Sequence, residues 1–339
     1  RDLGVDAMWI NPWYTSPLHD GGYDVADYRN IDPRFGDIEE ATSLIAEARE
    51  HGIRVLVDLV PNHTSWEHDW FEAALAAGPG SPERGRYHFL AGKGADGSEP
   101  PNDWRSVFGG SAWEQVPDGE WYLHLFDVSQ PDLNWEHPEV RAEFDDILRY
   151  WLDRGASGFR VDVAHSLMKA PGYPDVGDEA NEANLLTGAR FSRHPYWDRP
   201  EIHEIVRGWR AVLDEYPESM MVAEAWVSDL ERLATYLRPD EYHQAFDFDF
   251  LEAPWDADRM RSAIDESMAA VGGVGSIPTW VLSNHDVVRH ATRYALPADV
   301  DAKVWLLDGD RMLLDSELGE RRARAAALVL LGLPGSVYL

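Results

Sequence analysis

A repeated unit along the chain restricts the folds that are open to it. The unit is an amphipathic helix, a short turn that contains glycine, and a nearly continuous apolar run that ends in polar residues. In the clearest copy Asp37 is a favourable N-cap, apolar side chains share one helical face over residues 38–48, and Gly52 ends the helix. The apolar run 53–60 follows. Apolar strands that alternate with helices are typical of a parallel sheet covered on both faces.

The same pattern recurs along the chain and predicts seven buried parallel strands. They lie at residues 5–11, 53–60, 158–163, 220–225, 245–250, 279–284 and 335–339. Seven strands with helices between them predict an α/β fold, a (β/α)8 TIM barrel whose first strand is missing. A doubly wound parallel sheet is the structural alternative.

One segment interrupts this pattern. Residues 65–126 contain many glycines and prolines, and Trp, Phe and Tyr recur within them. A segment of this length with so many aromatic side chains predicts an inserted subdomain after the third strand rather than a disordered loop. The sequence therefore predicts a first barrel part at 1–64, the inserted subdomain B at 65–126 and a second barrel part at 127–339.

The charge and cysteine content exclude several classes of partner and site. The chain carries 30 Lys and Arg against 61 Asp and Glu, which gives a formal net charge of −31. An acidic surface of this kind repels phosphate backbones and anionic lipid, so neither nucleic acid nor a membrane is expected as a partner. Because there is no cysteine, disulfides, thiolate nucleophiles and cysteine-bound zinc are excluded.

Polar side chains follow several predicted strands at the end where active sites of α/β barrels lie. Three carboxylates fall on three separate strand ends, namely Asp162, Glu224 and Asp286. Arg160 stands two residues before Asp162 and projects to the same face, so its charge is expected to keep that carboxylate ionised. Glu224 follows an apolar run, which favours a raised pKa and suits a general acid.

This set of residues matches the needs of glycosidic bond cleavage. One carboxyl group must be protonated to release the leaving oxygen, and another must be ionised to attack or stabilise an oxocarbenium-like centre. The sequence has no metal-ligand spacing and no glycine-rich phosphate loop, so we expect neither a metal nor a cofactor at these residues. Each of the residues alone is equally compatible with an ion-paired strand end, and the prediction depends on their combination.

Five segments of the chain resemble the conserved regions of the α-amylase superfamily of glycoside hydrolases (family 13). Four of them are DLVPNH at 58–63, GFRVDVAH at 158–165, VAEAW at 222–226 and LSNHD at 282–286. The fifth, QPDLN at 130–134, has the form typical of the α-glucosidase and oligo-1,6-glucosidase branch. The resemblance covers essentially the whole chain and implies a barrel enzyme that acts on small α-glucosides such as maltose.

The resemblance also implies a role for each candidate residue. Asp162 would be the nucleophile that forms a glycosyl-enzyme, Glu224 the acid/base and Asp286 the transition-state stabiliser. The implied substrate-binding residues are Asp20, Tyr23, His63, Phe108, Arg160 and His285. Asp20 would close the pocket behind the terminal glucose, and Phe108 would supply an aromatic wall. A pocket closed in this way would make the enzyme exo-acting, and a glycosyl-enzyme on Asp162 would make it retaining, so the resemblance implies a retaining, exo-acting α-glucosidase.

Two alternatives stay open within this resemblance. A transglucosylase or isomerase, similar to trehalose synthase or sucrose isomerase, would use the same three carboxylates. A catalytically inactive relative that serves as a binding subunit is disfavoured because all three are present. Val163, beside the nucleophile, leaves the choice between α-1,4 and α-1,6 linkages open.

The ends of the sequence and the branch lead to further expectations. The chain starts at Arg1 and stops at Leu339 within an apolar run, so we expect a fragment without the family's first strand and C-terminal β domain. A structural divalent cation would then belong to the segment before Arg1, and the fragment alone would be weakly active or inactive. The branch implies a cytoplasmic location, and the oligomeric state stays open.

Overall fold

The computed structural model describes residues 2–187, 194–308 and 314–339. Within it the chain divides into two compact units. The first unit comprises Arg1–Ser228 and Asp240–Tyr242, and the second comprises Asp229–Pro239 and His243–Leu339.

The described part of the first unit contains nine strands and five α-helices. The strands are β1 (Ala7–Ile10), β2 (Tyr14–Thr15), β3 (Asp27–Ile31), β4 (Arg54–Leu59), β5 (Phe89–Ala91), β6 (Trp113–Gln115), β7 (Glu120–Leu123), β8 (Gly158–Val161) and β9 (Met220–Ala223). The helices are α1 (Ile38–Glu50), α2 (Asp69–Ala77), α3 (Pro138–Asp153), α4 (Asp178–Thr187) and α5 (Ile202–Leu213), with a short 3-10 helix at Arg84–Arg86.

Strands β1, β4, β8 and β9 of this unit lie side by side in that order and run parallel. The pairing register places Asp58 of β4 opposite Arg160 of β8, and Arg160 opposite Val222 of β9. Because parallel strands end at the same edge of a sheet, the residues that follow β8 and β9 are neighbours. This register brings distant parts of the sequence to one edge.

The helices between these strands begin where the sequence predicts. Asp37 caps α1 by accepting the N–H groups of Glu39 and Glu40, and the Glu40 side chain completes a capping box. Pro138 lies in the first turn of α3, whose buried stripe runs from Val140 to Leu152. The alternation of helices and parallel strands in this unit agrees with the predicted α/β class.

Residues 65–126 form α2, the short 3-10 helix and a three-stranded antiparallel sheet in the order β5, β7, β6. Its aromatic side chains are used in packing. Trp104 and Trp113 are buried in one cluster with Tyr196 and Trp197 from later in the chain. Burial of this much aromatic surface explains how a segment rich in glycine and proline folds. The boundaries at 64/65 and 126/127 stay a prediction.

The second unit has its own core. Its described strands are β10 (Gln244–Ala245), β11 (Thr279–Val281) and β12 (Ser336–Tyr338), and its described helices are α6 (Leu230–Thr235), α7 (Phe248–Glu252), α8 (Ala257–Gly273), α9 (His290–Arg293), α10 (Ala302–Asp308) and α11 (Ser316–Gly332). Strands β11 and β12 pair in parallel. Phe250, Trp280 and Leu330 are buried in one cluster.

The sequence prediction of a strand at 245–250 is wrong over most of its length. Strand β10 ends at Ala245, and helix α7 begins at Phe248. The reason is local, because the Asp247 side chain accepts the backbone N–H of Phe250 and starts a helix. Among residues 2–187, 194–308 and 314–339, no helix combines the length and apolar character needed to cross a membrane.

Candidate active site

The candidate site of the first unit lies at the carboxyl ends of β4, β8 and β9. Asp58 is the penultimate residue of β4, Asp162 directly follows β8 and Glu224 directly follows β9. Arg160 lies within β8, between the two neighbouring strands. The parallel register therefore brings one cation and three carboxyl groups to a single edge of the sheet.

The Arg160 guanidinium contacts all three carboxyl groups. Its Nη1 donates to Asp162 Oδ1 at 2.5 Å and to Asp58 Oδ1 at 3.1 Å. Its Nη2 lies 2.7 Å from Glu224 Oε2. Only 8% of the Asp162 side chain and 7% of the Glu224 side chain are exposed. One buried cation thus orients two predicted catalytic carboxylates.

Glu224 is held on both oxygens. Its Oε2 also accepts the backbone N–H of Val163 at 3.1 Å, and its Oε1 accepts the indole N–H of Trp226 at 3.1 Å. Burial raises the pKa of Glu224, but the Arg160 charge and these hydrogen bonds outweigh burial and leave the pKa below its ordinary value. The sequence expectation of a raised pKa is therefore wrong, because the preceding apolar run does not reveal the cation on the next strand.

Val163 reaches Glu224 through an unusual backbone conformation. Its φ is 41°, in the left-handed region that a β-branched residue rarely adopts. The residue directly follows Asp162, and its N–H points to Glu224. Backbone strain of this kind is held in place by surrounding structure and is found at functional sites.

Asp58 is the third carboxyl group of the cluster, and it is completely buried. Burial raises its pKa to about 6, against the opposing influence of Arg160 and the hydrogen bond from the Trp9 indole. That hydrogen bond joins Trp9 Nε1 to Asp58 Oδ2 at 2.9 Å, and the Tyr23 hydroxyl lies 3.3 Å from the same oxygen. Asp58 therefore links the carboxyl cluster to the predicted substrate-binding residues.

Three of those residues lie together in the first unit. His63 Nε2 is 3.2 Å from the Tyr23 carbonyl oxygen, and the Gln130 side-chain amide donates to Asp20 Oδ2 at 2.9 Å. The same amide nitrogen lies 3.2 Å from His63 Nε2. The buried Asp24 accepts the backbone N–H of Asp20 and shapes its loop. Gln130 connects Asp20 with His63, a link that its place in a motif did not predict.

The buried Lys169 is linked to His63 through the side chain of Asn62. Lys169 Nζ donates to Asn62 Oδ1 at 2.9 Å and lies 2.8 Å from Asp132 Oδ2. Asn62 in turn places its amide nitrogen 3.2 Å from His63 Nδ1. Burial lowers the pKa of His63, so its imidazole is neutral at pH 7. No sequence signal singled out Lys169, because its partners come from two other segments.

Phe108 is connected to His63 through a second aromatic ring, that of Phe126. It is 60% exposed and meets Phe126 edge-on, with 5.8 Å between ring centroids. Phe126 in turn lies 5.1 Å from the His63 ring. Phe126 is a further candidate for the aromatic wall, although no sequence motif singles it out.

Asp286 and His285 belong to the second unit. They lie on the loop after β11, where the Asn284 side chain accepts the Asp286 backbone N–H at 3.0 Å. His285 Nε2 is 3.5 Å from Asp286 Oδ1, and 44% of the Asp286 side chain is exposed. The roles of these two residues, like those of the first-unit residues, stay predictions. Within the described part of the chain, no group of three or more His, Asp or Glu could hold a metal ion.

Residues 1–305 match the sequence profile of the α-amylase catalytic domain. A probable α-glucosidase of Rhizobium meliloti is 39% identical over 307 residues, which cover 86% of this chain and 54% of the relative. An oligo-1,6-glucosidase of Parageobacillus thermoglucosidasius is 36% identical, with coverage of 87% and 53%. The chain therefore spans about half the length of these curated relatives.

The fold has similar solved structures. The α-glucosyl transfer enzyme XgtA is 32% identical and gives a TM-score of 0.83 over 99% of this chain and 60% of XgtA. The MutB mutant in complex with its substrate sucrose gives the same identity and TM-score, over 98% of this chain and 57% of MutB. These matches confirm the predicted α/β barrel class and exclude the doubly wound alternative.

Proposed function

The chain belongs to the α-amylase family of glycoside hydrolases, and from this premise we propose that it is the catalytic part of a retaining, exo-acting α-glucosidase. The proposed substrates are short α-glucosides such as maltose, from which the enzyme removes the terminal glucose. The observation that carries the proposal is the buried Arg160 guanidinium that holds Asp162 and Glu224 together.

The closeness of these carboxyl groups supports retention. Asp162 and Glu224 share one guanidinium, with Nη1 of Arg160 on Asp162 and Nη2 on Glu224. Inverting enzymes separate their carboxyl groups by roughly 6.5–9.5 Å to admit a water, whereas retaining enzymes keep them at about 5–5.5 Å. A pair of carboxyl groups held by one guanidinium favours the shorter separation and therefore direct attack by Asp162.

In the first proposed step Asp162 Oδ attacks the anomeric carbon as the glycosidic bond breaks, and Glu224 gives its proton to the leaving oxygen. In the second step Glu224 accepts a proton from water, and the resulting hydroxyl displaces Asp162 from the same carbon. Esterification removes the negative charge of Asp162, which lowers the pKa of Glu224 further and prepares it to act as a base. Asp286 keeps the stabilising role that its motif predicts.

The grouping of Asp20, Tyr23 and His63 supports exo-action. Gln130 fixes the Asp20 carboxylate beside His63, and the Tyr23 hydroxyl faces the carboxyl cluster through Asp58. A carboxylate in this position can bind the hydroxyls of a terminal sugar and close the pocket behind it. Reaction is thereby limited to the chain end of a substrate.

A second candidate is a transglucosylase or sucrose-isomerising enzyme. It is favoured by the similarity to XgtA and to the sucrose-bound MutB mutant. The two candidates share the glycosyl-enzyme and differ in whether water or a sugar hydroxyl accepts the glucosyl group. Chromatography of maltose and sucrose digests separates them, since hydrolysis of maltose yields glucose alone and transfer yields longer or rearranged sugars.

Proton NMR of the first-formed glucose tests the main proposal in the full-length protein. We expect the α-anomer to appear first and the β-anomer to grow only through mutarotation. Initial release of the β-anomer would exclude retention, and no release of glucose from maltose would exclude the α-glucosidase assignment.

We further propose that no cofactor takes part in bond cleavage and that the enzyme acts in the cytoplasm. The proposed steps need only carboxyl groups and water.

Dialysis against EDTA should leave kcat unchanged at temperatures where the protein stays folded. A loss of kcat that a divalent cation restores would contradict the proposal that no cofactor takes part in bond cleavage. Cell fractionation tests the location.

A further inference from the structure

We infer that Trp226 is a positioning residue for the reaction, because its indole N–H holds Oε1 of the acid/base Glu224, the oxygen that exchanges the proton with substrate. The inference rests on the proposed function and concerns a residue to which the family motifs give no role. Trp226 stands two residues after Glu224, just beyond the end of β9.

The two oxygens of Glu224 have different surroundings. Oε2 faces the Arg160 guanidinium at 2.7 Å and the Val163 N–H at 3.1 Å, which together use its two acceptor directions. Oε1 accepts the Trp226 indole N–H at 3.1 Å. A proton on Oε2 would displace a charged donor, so Oε1 is the oxygen that carries the exchangeable proton.

The indole fixes this arrangement in two ways. Together with Arg160 it prevents the carboxyl group from turning, so that Oε1 keeps one direction throughout the reaction. Its N–H also stabilises the ionised form more than the protonated form, because a carboxylate is the stronger acceptor. Trp226 therefore lowers the upper pH limit at which Glu224 can still act as an acid.

Other charged and titratable groups face Glu224 from neighbouring elements of the first unit, and all of them remain in a Trp226 variant. They are Arg160, Asp58, Asp162, Tyr23 and His165. A change of pH dependence in Trp226→Phe that Trp226→Gln reverses is therefore attributed to the lost N–H, because phenylalanine keeps an aromatic ring without the donor and glutamine restores a donor without the ring.

The pH dependence of kcat/KM for maltose tests this inference in the full-length protein. In Trp226→Phe we expect the alkaline limb to move up by about 0.5–1 pH unit, since a carboxylate loses one donor. The acid limb, which reports Asp162, should stay in place. Trp226→Gln retains an N–H donor of similar reach and should move the alkaline limb back toward the wild type.

A matched control comes from the inserted segment. The Trp121 indole donates to the Gly97 carbonyl oxygen at 3.0 Å, so Trp121→Phe also removes an indole hydrogen bond but not from a carboxyl group. Both limbs should match the wild type in this variant. An unmoved alkaline limb in Trp226→Phe, or a limb that Trp226→Gln fails to restore, would overturn the inference.

Tryptophan fluorescence gives a readout that does not need turnover. The difference between wild-type and Trp226→Phe emission should show a pH step from protonation of Glu224, and Glu224→Gln should abolish that step. Absence of the step in the wild type would also overturn the inference. If the wild type releases no glucose from maltose but the step is present, the proposed function fails while the Trp226 contact stands.

Discussion

The carboxyl cluster of the first unit and the Asp286 loop of the second unit place their acidic side chains by different means. Asp58, Asp162 and Glu224 are fixed by the register of parallel strands and by one buried guanidinium. Asp286 lies on a loop, 44% exposed, with its backbone N–H held by Asn284. Substitutions in the carboxyl cluster are therefore expected to alter both catalysis and the free energy of unfolding. Substitution of Asp286 is expected to alter catalysis with little effect on the free energy of unfolding.

The largest effect is expected from Asp162→Ala, which removes the proposed nucleophile. We expect kcat on maltose to fall by about 10⁴-fold or more, because loss of a covalent nucleophile leaves only binding and electrostatic contributions. Steady-state kinetics of the full-length protein measure this.

Asp214→Asn is a suitable control for that variant. Asp214 is 60% exposed and pairs with Arg210 on the surface of α5, so its replacement should leave kcat unchanged. Near wild-type turnover of Asp162→Ala would remove the nucleophile assignment.

The next largest effect, a loss of unfolding free energy, is expected from Arg160→Met. This substitution leaves three buried carboxyl groups without their cation. Removing one partner of a buried ion pair costs about 3–5 kcal/mol of unfolding free energy, measurable by urea titration at pH 7. Without the cation the three pKa values rise above those of the unfolded chain. The variant should therefore regain stability as the pH falls, and equal destabilisation at pH 4 and pH 7 would contradict the cluster.

The sequence predicts much of the carboxyl cluster of the first unit. Sequence-based prediction fails for side chains whose interaction partners come from distant segments of the chain. The helical stripes and Asp37 predict α1, and the polar ends of apolar runs predict where Asp162 and Glu224 lie. The lowered pKa of Glu224 depends on Arg160 of the adjacent strand, so only the register reveals it. Lys169 likewise has partners far away in the sequence.

In the second unit a sequence prediction fails because of a local interaction, not a distant one. The apolar segment 245–250 has the composition of a strand, yet one side-chain hydrogen bond from Asp247 starts helix α7 within it. A short apolar run is compatible with either structure, and a local cap decides between them. Motif similarity identifies Asp286 without predicting how its loop is held.

A smaller effect is expected from Asp58→Asn. Burial raises the pKa of Asp58 to about 6, so its protonated form stabilises the native state at low pH and this contribution is lost as the pH rises. From about pH 4 to pH 6 the wild type should lose about 2 kcal/mol of unfolding free energy relative to Asp58→Asn, out of about 3 kcal/mol over the whole titration.

Urea titrations of both proteins across this range measure the difference. Asp153→Asn serves as the control for replacing an aspartate outside the cluster, because Asp153 accepts the Tyr216 hydroxyl in an exposed hydrogen bond. A constant difference between the wild type and Asp58→Asn would contradict the raised pKa.

The smallest effect on stability is expected from Asp286→Asn. Because the side chain is exposed, the unfolding free energy should change by no more than about 0.5 kcal/mol. The proposed stabilising role requires kcat to fall by about 10²-fold or more in the same variant. A large loss of stability, or unchanged kcat, would contradict the contrast between the two regions.

Trapping of the glycosyl-enzyme tests the central claim most directly. The full-length protein would be incubated with 5-fluoro-α-D-glucosyl fluoride, digested with pepsin and analysed by mass spectrometry. A glucosyl adduct is predicted on the peptide that contains Asp162, and it should be absent from the Asp162→Ala variant. An adduct on another carboxylate would show that Asp162 is not the group that attacks the sugar.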